Sequence, residues 1–125
     1  MKKLLTVTSL LTTLTLSLNA DTLDECEVAY KAGNLDRAET LCTKATKEDA
    51  KSFWANLRLY HTYQGKGEYK KMLPIAQKLE KLAKTPQEYV IAYNQQGVAY
   101  GYLGDKKQEL TYSIKALETN KKLGD

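Results

Sequence analysis

One histidine, His61, stands in 125 residues. A histidine-based triad or a multi-histidine metal site therefore cannot form within one chain. No Gly-x-Gly-x-x-Gly stretch and no phosphate-loop sequence occurs, so the backbone cradles that hold nucleotides are absent from the sequence. The two cysteines, Cys26 and Cys42, fit neither a zinc-ligand spacing nor a Cys-x-x-Cys redox motif. Carboxylates are plentiful but alternate with lysine; Lys78, Glu80, Lys81 and Lys84 read as a solvated helix face. These scarcities predict a protein that is not an enzyme and that needs no metal or cofactor.

No apolar run is long. The uncharged stretch Leu4 to Ala20 covers 17 residues, at the lower limit for spanning a bilayer, and Thr and Ser dilute it. Lys2 and Lys3 precede it, and Asn19-Ala20 then places a small residue before the first acid, Asp21. A basic start, a short apolar stretch and a small-residue cut site describe a secretory signal over residues 1–20, with a domain over 21–125. A transmembrane anchor is the competing reading. No small residue directly precedes Cys26, which argues against a lipid-modified cysteine. Basic residues number 19, less Lys2 and Lys3, against 15 acids, leaving +2 after cleavage. That mild excess gives no reason to expect nucleic acid as a partner. The expected location is the periplasm or the exterior, with no membrane span once the signal is removed. An even cysteine count in an exported chain favours one disulfide over two buried thiols.

The chain has two prolines, and few segments are rich in β-branched residues. Beyond residue 21 apolar residues recur at three and four rather than two, the period of helices. Three Gly-polar pairs punctuate the pattern: Gly33-Asn34, Gly67-Glu68 and Gly104-Asp105. Glycine ends helices by adopting a left-handed backbone, and a polar residue next suits the start of another. The pairs lie 34 and 37 residues apart, the signature of a repeat architecture. The expected helices are 22–32, 35–48, 50–64, 68–84, 87–103 and 106–122, forming three hairpins. Pro86 suits a first helical position behind Thr85, whereas Pro74 either kinks its helix or marks a start near Leu73.

In the third hairpin Tyr93, Gln96-Gly97 and Tyr100 precede Gly104-Asp105, and Ala116-Leu117 follows. The run resembles the tetratricopeptide repeat, with Gln96 where that family has Leu, and Glu109 and Ser113 where it has Ala and a large aromatic. The first hairpin keeps Ala29-Tyr30, Gly33-Asn34, Ala38 and Ala45 in phase; the middle one keeps Leu59, Tyr63 and Tyr69, with Tyr60 at a small-residue site. Another helix-hairpin family of similar period, the Sel1-like repeats, is the alternative. The resemblance implies an all-α fold of three antiparallel helix hairpins stacked as a short right-handed solenoid. It also puts Cys26 at the close-packed Gly site and Cys42 at the facing aromatic site, and so implies a bond between them.

The same resemblance implies a concave face lined by the first helix of each hairpin. Carried over by register, that face presents Glu27, Tyr30 and Lys31, then Trp54, Leu57, Arg58, His61 and Gln64, then Asn94, Gln95, Val98 and Tyr102. Trp, Tyr and Arg are common energetic anchors of interfaces, and Trp54 reads equally as groove or as core. Tyr93 and Tyr100 read as core. His61 reads as an exposed residue with an ordinary pKa near 6.5. The Lys and Asn positions of a carboxylate clamp are not matched. The expected function is an exported interaction module or assembly factor of the bacterial envelope that binds a protein or peptide. The alternatives are part of a longer structural solenoid, or a Sel1-like or thiol-redox protein. The sequence does not fix an oligomeric state.

Overall fold

The computed structural model describes residues 21–124. The proposed signal, residues 1–20, lies outside them. The described chain is all helical, with no strand among the described residues. Six α-helices follow one another: α1 (Thr22–Lys31), α2 (Leu35–Glu48), α3 (Phe53–Lys66), α4 (Met72–Leu82), α5 (Pro86–Tyr102) and α6 (Lys106–Leu123). A 3-10 turn, Tyr69–Lys71, leads into α4. Each helix packs chiefly on its neighbours in sequence, and α3 also reaches back to α1.

The helix ends follow from local chemistry. Gly33, Gly67 and Gly104 have φ of 79°, 74° and 82°, a left-handed conformation that costs glycine nothing and side-chain-bearing residues about 1 kcal/mol or more. One hydrogen-bond pattern recurs at all three turns. Asn34 N donates to Ala29 O at 3.0 Å, Glu68 N to Tyr63 O at 2.9 Å, and Asp105 N to Tyr100 O at 2.9 Å. Each bond spans five residues and satisfies a helix-end carbonyl that would otherwise be orphaned. Asn34 then caps α2 by accepting from Arg37 N, and Asp105 caps α6 by accepting from Gln108 N. Thr85 caps α5 ahead of Pro86, and the Glu88 carboxylate reaches back to Lys84 N at 3.2 Å.

The middle turn departs from expectation. Glu68 makes no side-chain cap, and the chain passes through the 3-10 turn before α4 begins at Met72. Pro74 is thus the third residue of α4, which starts beside Leu73 and runs on unbroken, because the first-turn N–H that proline lacks has no partner within the helix. The third helix starts later than expected, at Phe53, where Ser52 accepts from Ala55 N at 3.2 Å.

Three apolar clusters hold α1 to α5 together. Cys26, Ala29, Ala38, Cys42 and Leu59 join α1, α2 and α3. Phe53, Leu57, Leu79, Ala83 and Ala92 join α3, the end of α4 and α5. Tyr60, Met72, Ala76 and Ala99 join the same three helices nearer the 67–71 turn. The α5–α6 contact is built differently. A Cβ placed on Gly97 would meet Ser113 Oγ at 3.3 Å and Glu109 O at 3.4 Å, so the backbones approach through a missing side chain. Tyrosines fill the flanks: Tyr112 stacks on Tyr100 at 5.6 Å and leans on Tyr93 at 6.3 Å, with Lys115 Nζ 4.7 Å above its ring.

Candidate functional site

Cys26 and Cys42 lie at disulfide distance with Cα atoms 5.0 Å apart, and both are fully buried. They tie α1 to α2 at the level where α3 crosses, since Thr62 Oγ1 comes within 3.9 Å of Cys42 Sγ and Leu59 joins the same cluster. A closed pair in the core is compatible with an oxidising compartment.

The residues expected on a shared face divide into groups. Tyr30, Lys31, Arg58 and His61 come together. Arg58 donates through Nη2 to Glu27 Oε1 at 3.2 Å, its Nη1 lies 3.4 Å from His61 Nδ1, and its guanidinium sits 4.9 Å from the Tyr30 ring centre. His61 is wedged between Tyr30 at 6.2 Å and Tyr60 at 5.6 Å. Glu27 also meets Lys31 at 4.0 Å. The cluster therefore joins α1 to α3 through a cation shared by a carboxylate, an imidazole and a π-face. Arg58 Nε is buried with no hydrogen-bond partner, an unmet donor in a half-buried charged group.

Trp54 lies four residues before Arg58 on α3, half exposed at 50% and edge-on to Phe53 at 5.2 Å. Gln64 is partly buried. On α5, Asn94 is exposed and Gln95 partly buried, while Tyr102 stacks flat on Tyr69 at 4.1 Å and keeps 48% exposure. Tyr102 thus pairs with the 3-10 turn rather than with the Arg58 cluster.

Three expectations are corrected. Leu57 does not present a surface; it is buried among Phe53, Leu79 and Ala92, because its helical position points at α4 and α5. Glu80 is not simply solvated; it accepts from the buried Gln96 amide at 2.7 Å, which supplies the partner that a buried amide requires. His61 is half-buried rather than exposed, and burial, then the neighbouring Arg58 charge, lower its pKa from 6.5.

This last shift has a measurable sign. The unfolded chain takes up a proton at His61 near pH 6.5, while the folded chain resists it. Stability is therefore complete above pH 6.5 and falls as pH drops from 6.5 toward the lowered folded pKa. Urea titrations at pH 7.5 and 5.5 should show a larger loss on acidification for the wild type than for His61→Gln. An equal loss in the two would assign the acid sensitivity elsewhere.

Other charged contacts lie outside this face. Lys66, near the end of α3, meets Glu39 at 2.8 Å and Asp36 at 2.9 Å on α2, and those two bonds raise its pKa. Sequence reasoning missed this bridge, the Tyr69–Tyr102 stack and the Gln96–Glu80 bond, since each joins residues far apart in the chain. Among the described residues no three His, Cys, Asp or Glu side chains converge into a group able to hold a metal, and no helix is long and apolar enough to cross a membrane. No protein-family model and no curated protein matches the chain.

Proposed function

We propose that the chain is an exported, non-enzymatic interaction module: three helix hairpins stacked in the manner of tetratricopeptide repeats, binding a protein or peptide across α1, α3 and α5. The carrying observation is the Arg58 cluster. An arginine held at once by Glu27, His61 and Tyr30, with one N–H left unmet, is ordered before any ligand arrives. Preorganisation lowers the entropic cost of binding. Trp54 and Tyr102 add half-exposed aromatic area, and Asn94 adds an exposed amide able to hydrogen-bond an extended backbone. The three left-handed glycine turns, which share one five-residue hydrogen bond and a near-constant spacing, support the stacked-hairpin reading, and the buried cysteine pair supports export.

On this reading the partner is an envelope protein, and the site is its anchor. Affinity capture from the native envelope should recover one or a few proteins with the wild type. Trp54→Ala and Arg58→Ala should each lower that recovery about tenfold or more, the loss expected for anchors worth over 1.4 kcal/mol. Circular dichroism checks that the variants stay helical. Undiminished recovery with both would remove the face from consideration.

A further inference from the structure

Among the described residues, the outer faces of α1 and α6 expose the positions that the inner layers bury, and from this we infer that the chain assembles head to tail with a second copy of itself, α1 of one copy seating on α5 and α6 of the next. The inference uses the repeat register of the proposed function and shares Val98 and Tyr102 with the edge of its binding face, but not Trp54 or Arg58.

Consider first the leading side of each layer. Eight and five residues before the turn glycine, α3 carries Leu59 and Thr62 and α5 carries Gln96 and Ala99. All four are buried against the preceding helices: Leu59 among Cys26, Ala38 and Cys42, Thr62 beside Cys42, Gln96 on Glu80, and Ala99 among Tyr60, Met72 and Ala76. In α1 the same two positions are Glu25 and Val28, and Val28 is 69% exposed.

The trailing side mirrors this. Six residues after the turn glycine, Glu39 bonds Lys66 of α3 and Leu73 packs on the cluster that contains Ala99 of α5. Thirteen after it, Glu80 bonds Gln96 of α5. In α6 these positions are Leu110 and Leu117, exposed at 62% and 68%, with Ile114 between them at 44%. An open groove runs beside them over Gly97 and Gly101, edged by Val98, Tyr102, Glu109 and Ser113. Within the chain, the element that fills this register is a helix, first α3 and then α5.

Charge decides which helix. From Asp21 through α1 there are four acids, Asp21, Asp24, Glu25 and Glu27, against Lys31. Helix α6 carries Lys106, Lys107, Lys115, Lys121 and Lys122 against Glu109 and Glu118. Pairing α6 with α6 of a second copy would set lysine clusters against each other. Pairing α1 with α6 sets opposite charges together while covering Val28 and the leucine stripe. Such a contact is heterologous, so it extends beyond two copies unless its rotation closes a ring. By register Glu25 comes over Leu117, as Gln96 comes over Glu80 within the chain, which sets a carboxylate on a leucine at the centre of the contact. Assembly is accordingly weak and concentration-dependent.

Sedimentation velocity over a rising concentration series of purified protein tests this. The expected result is a mass that grows past dimer, more at low salt than at high, because the ends attract by charge. Leu110→Glu/Leu117→Glu and Val28→Lys should each be monomeric, folded by circular dichroism, and together should give a discrete dimer, since each retains the one end the other needs. Trp54→Ala should assemble like the wild type. A chain that stays monomeric throughout, or two end variants that fail to pair, overturns the inference while leaving the binding face to stand or fall on its own capture experiment. Association that strengthens with salt would favour α6 against α6 and overturn it equally.

Discussion

Replacing Tyr60 with alanine is expected to cost roughly 3–5 kcal/mol of unfolding free energy, the range for deleting a buried aromatic ring. Tyr60 is fully buried on α3, at a position where the resemblance to tetratricopeptide repeats leads one to expect a small residue. The space comes from its neighbours: Ala76 of α4 and Ala99 of α5 are both fully buried in the same cluster. The ring spans the gap, and its hydroxyl donates to Gln95 O of α5 at 2.9 Å. Burial, and secondarily Tyr102, raise its pKa, so the hydroxyl stays protonated and remains a donor. One side chain thus links three helices. Tyr60→Phe should cost only about 1 kcal/mol, the value of one hydrogen bond with the ring retained. Urea denaturation of the two variants measures the contrast. Equal losses would mean that the hydroxyl, not the ring, carries the contact, and a loss below about 1 kcal/mol for Tyr60→Ala would mean the layers pack without it.

Removing the Cys26–Cys42 bond should cost about 3 kcal/mol, since it closes a loop of 16 residues. For a chain of this size that corresponds to roughly 10–20 °C in melting temperature. The loss should fall first on α1 and α2. Their shared core contributes mainly alanines, Ala29, Ala38 and Ala45, around the two sulfurs. A Cys26→Ala/Cys42→Ala variant followed by hydrogen exchange should show α1 and α2 opening ahead of α5 and α6, which retain their tyrosine stack. Uniform loss of protection across all six helices would instead make the bond a global constraint. Access bears on role as well. Both cysteines have no exposed surface, so a reductant reaches the bond only when the region opens. Mass spectrometry of native protein should show the bond resisting reductant that severs it in urea. Rapid reduction of the folded chain would point back to thiol chemistry.

The all-helical class, the approximate helix ranges, the three glycine turns and the Thr85 cap before Pro86 were all legible in the amino-acid string. Each depends on residues within a few positions of one another, or on a glycine whose lack of a side chain has one obvious use. Pairing Cys26 with Cys42 came from an even cysteine count in a chain read as exported, and from the resemblance, which implies that the two sites face each other across one short turn. The failures share a different cause. Glu68 resembles Asn34 and Asp105 in place, but a glutamate makes no cap there and the chain enters a 3-10 turn. Leu57, His61 and Glu80 were assigned by helix face alone, and their burial depends on which helix lies opposite.

The string by itself therefore determined where helices begin, end and reverse, because capping, left-handed glycine and a 3.6-residue period act within single turns. Only the tertiary structure decided that Arg58 is gripped by Glu27 and His61, that Tyr60 reaches Gln95 and that Gln96 meets Glu80. Apart from Arg58 and His61, which lie one turn apart on α3, those contacts join residues 16 to 35 positions apart. They exist because layers come to rest at a distance set by the volume of every side chain between them, a sum that no local pattern encodes.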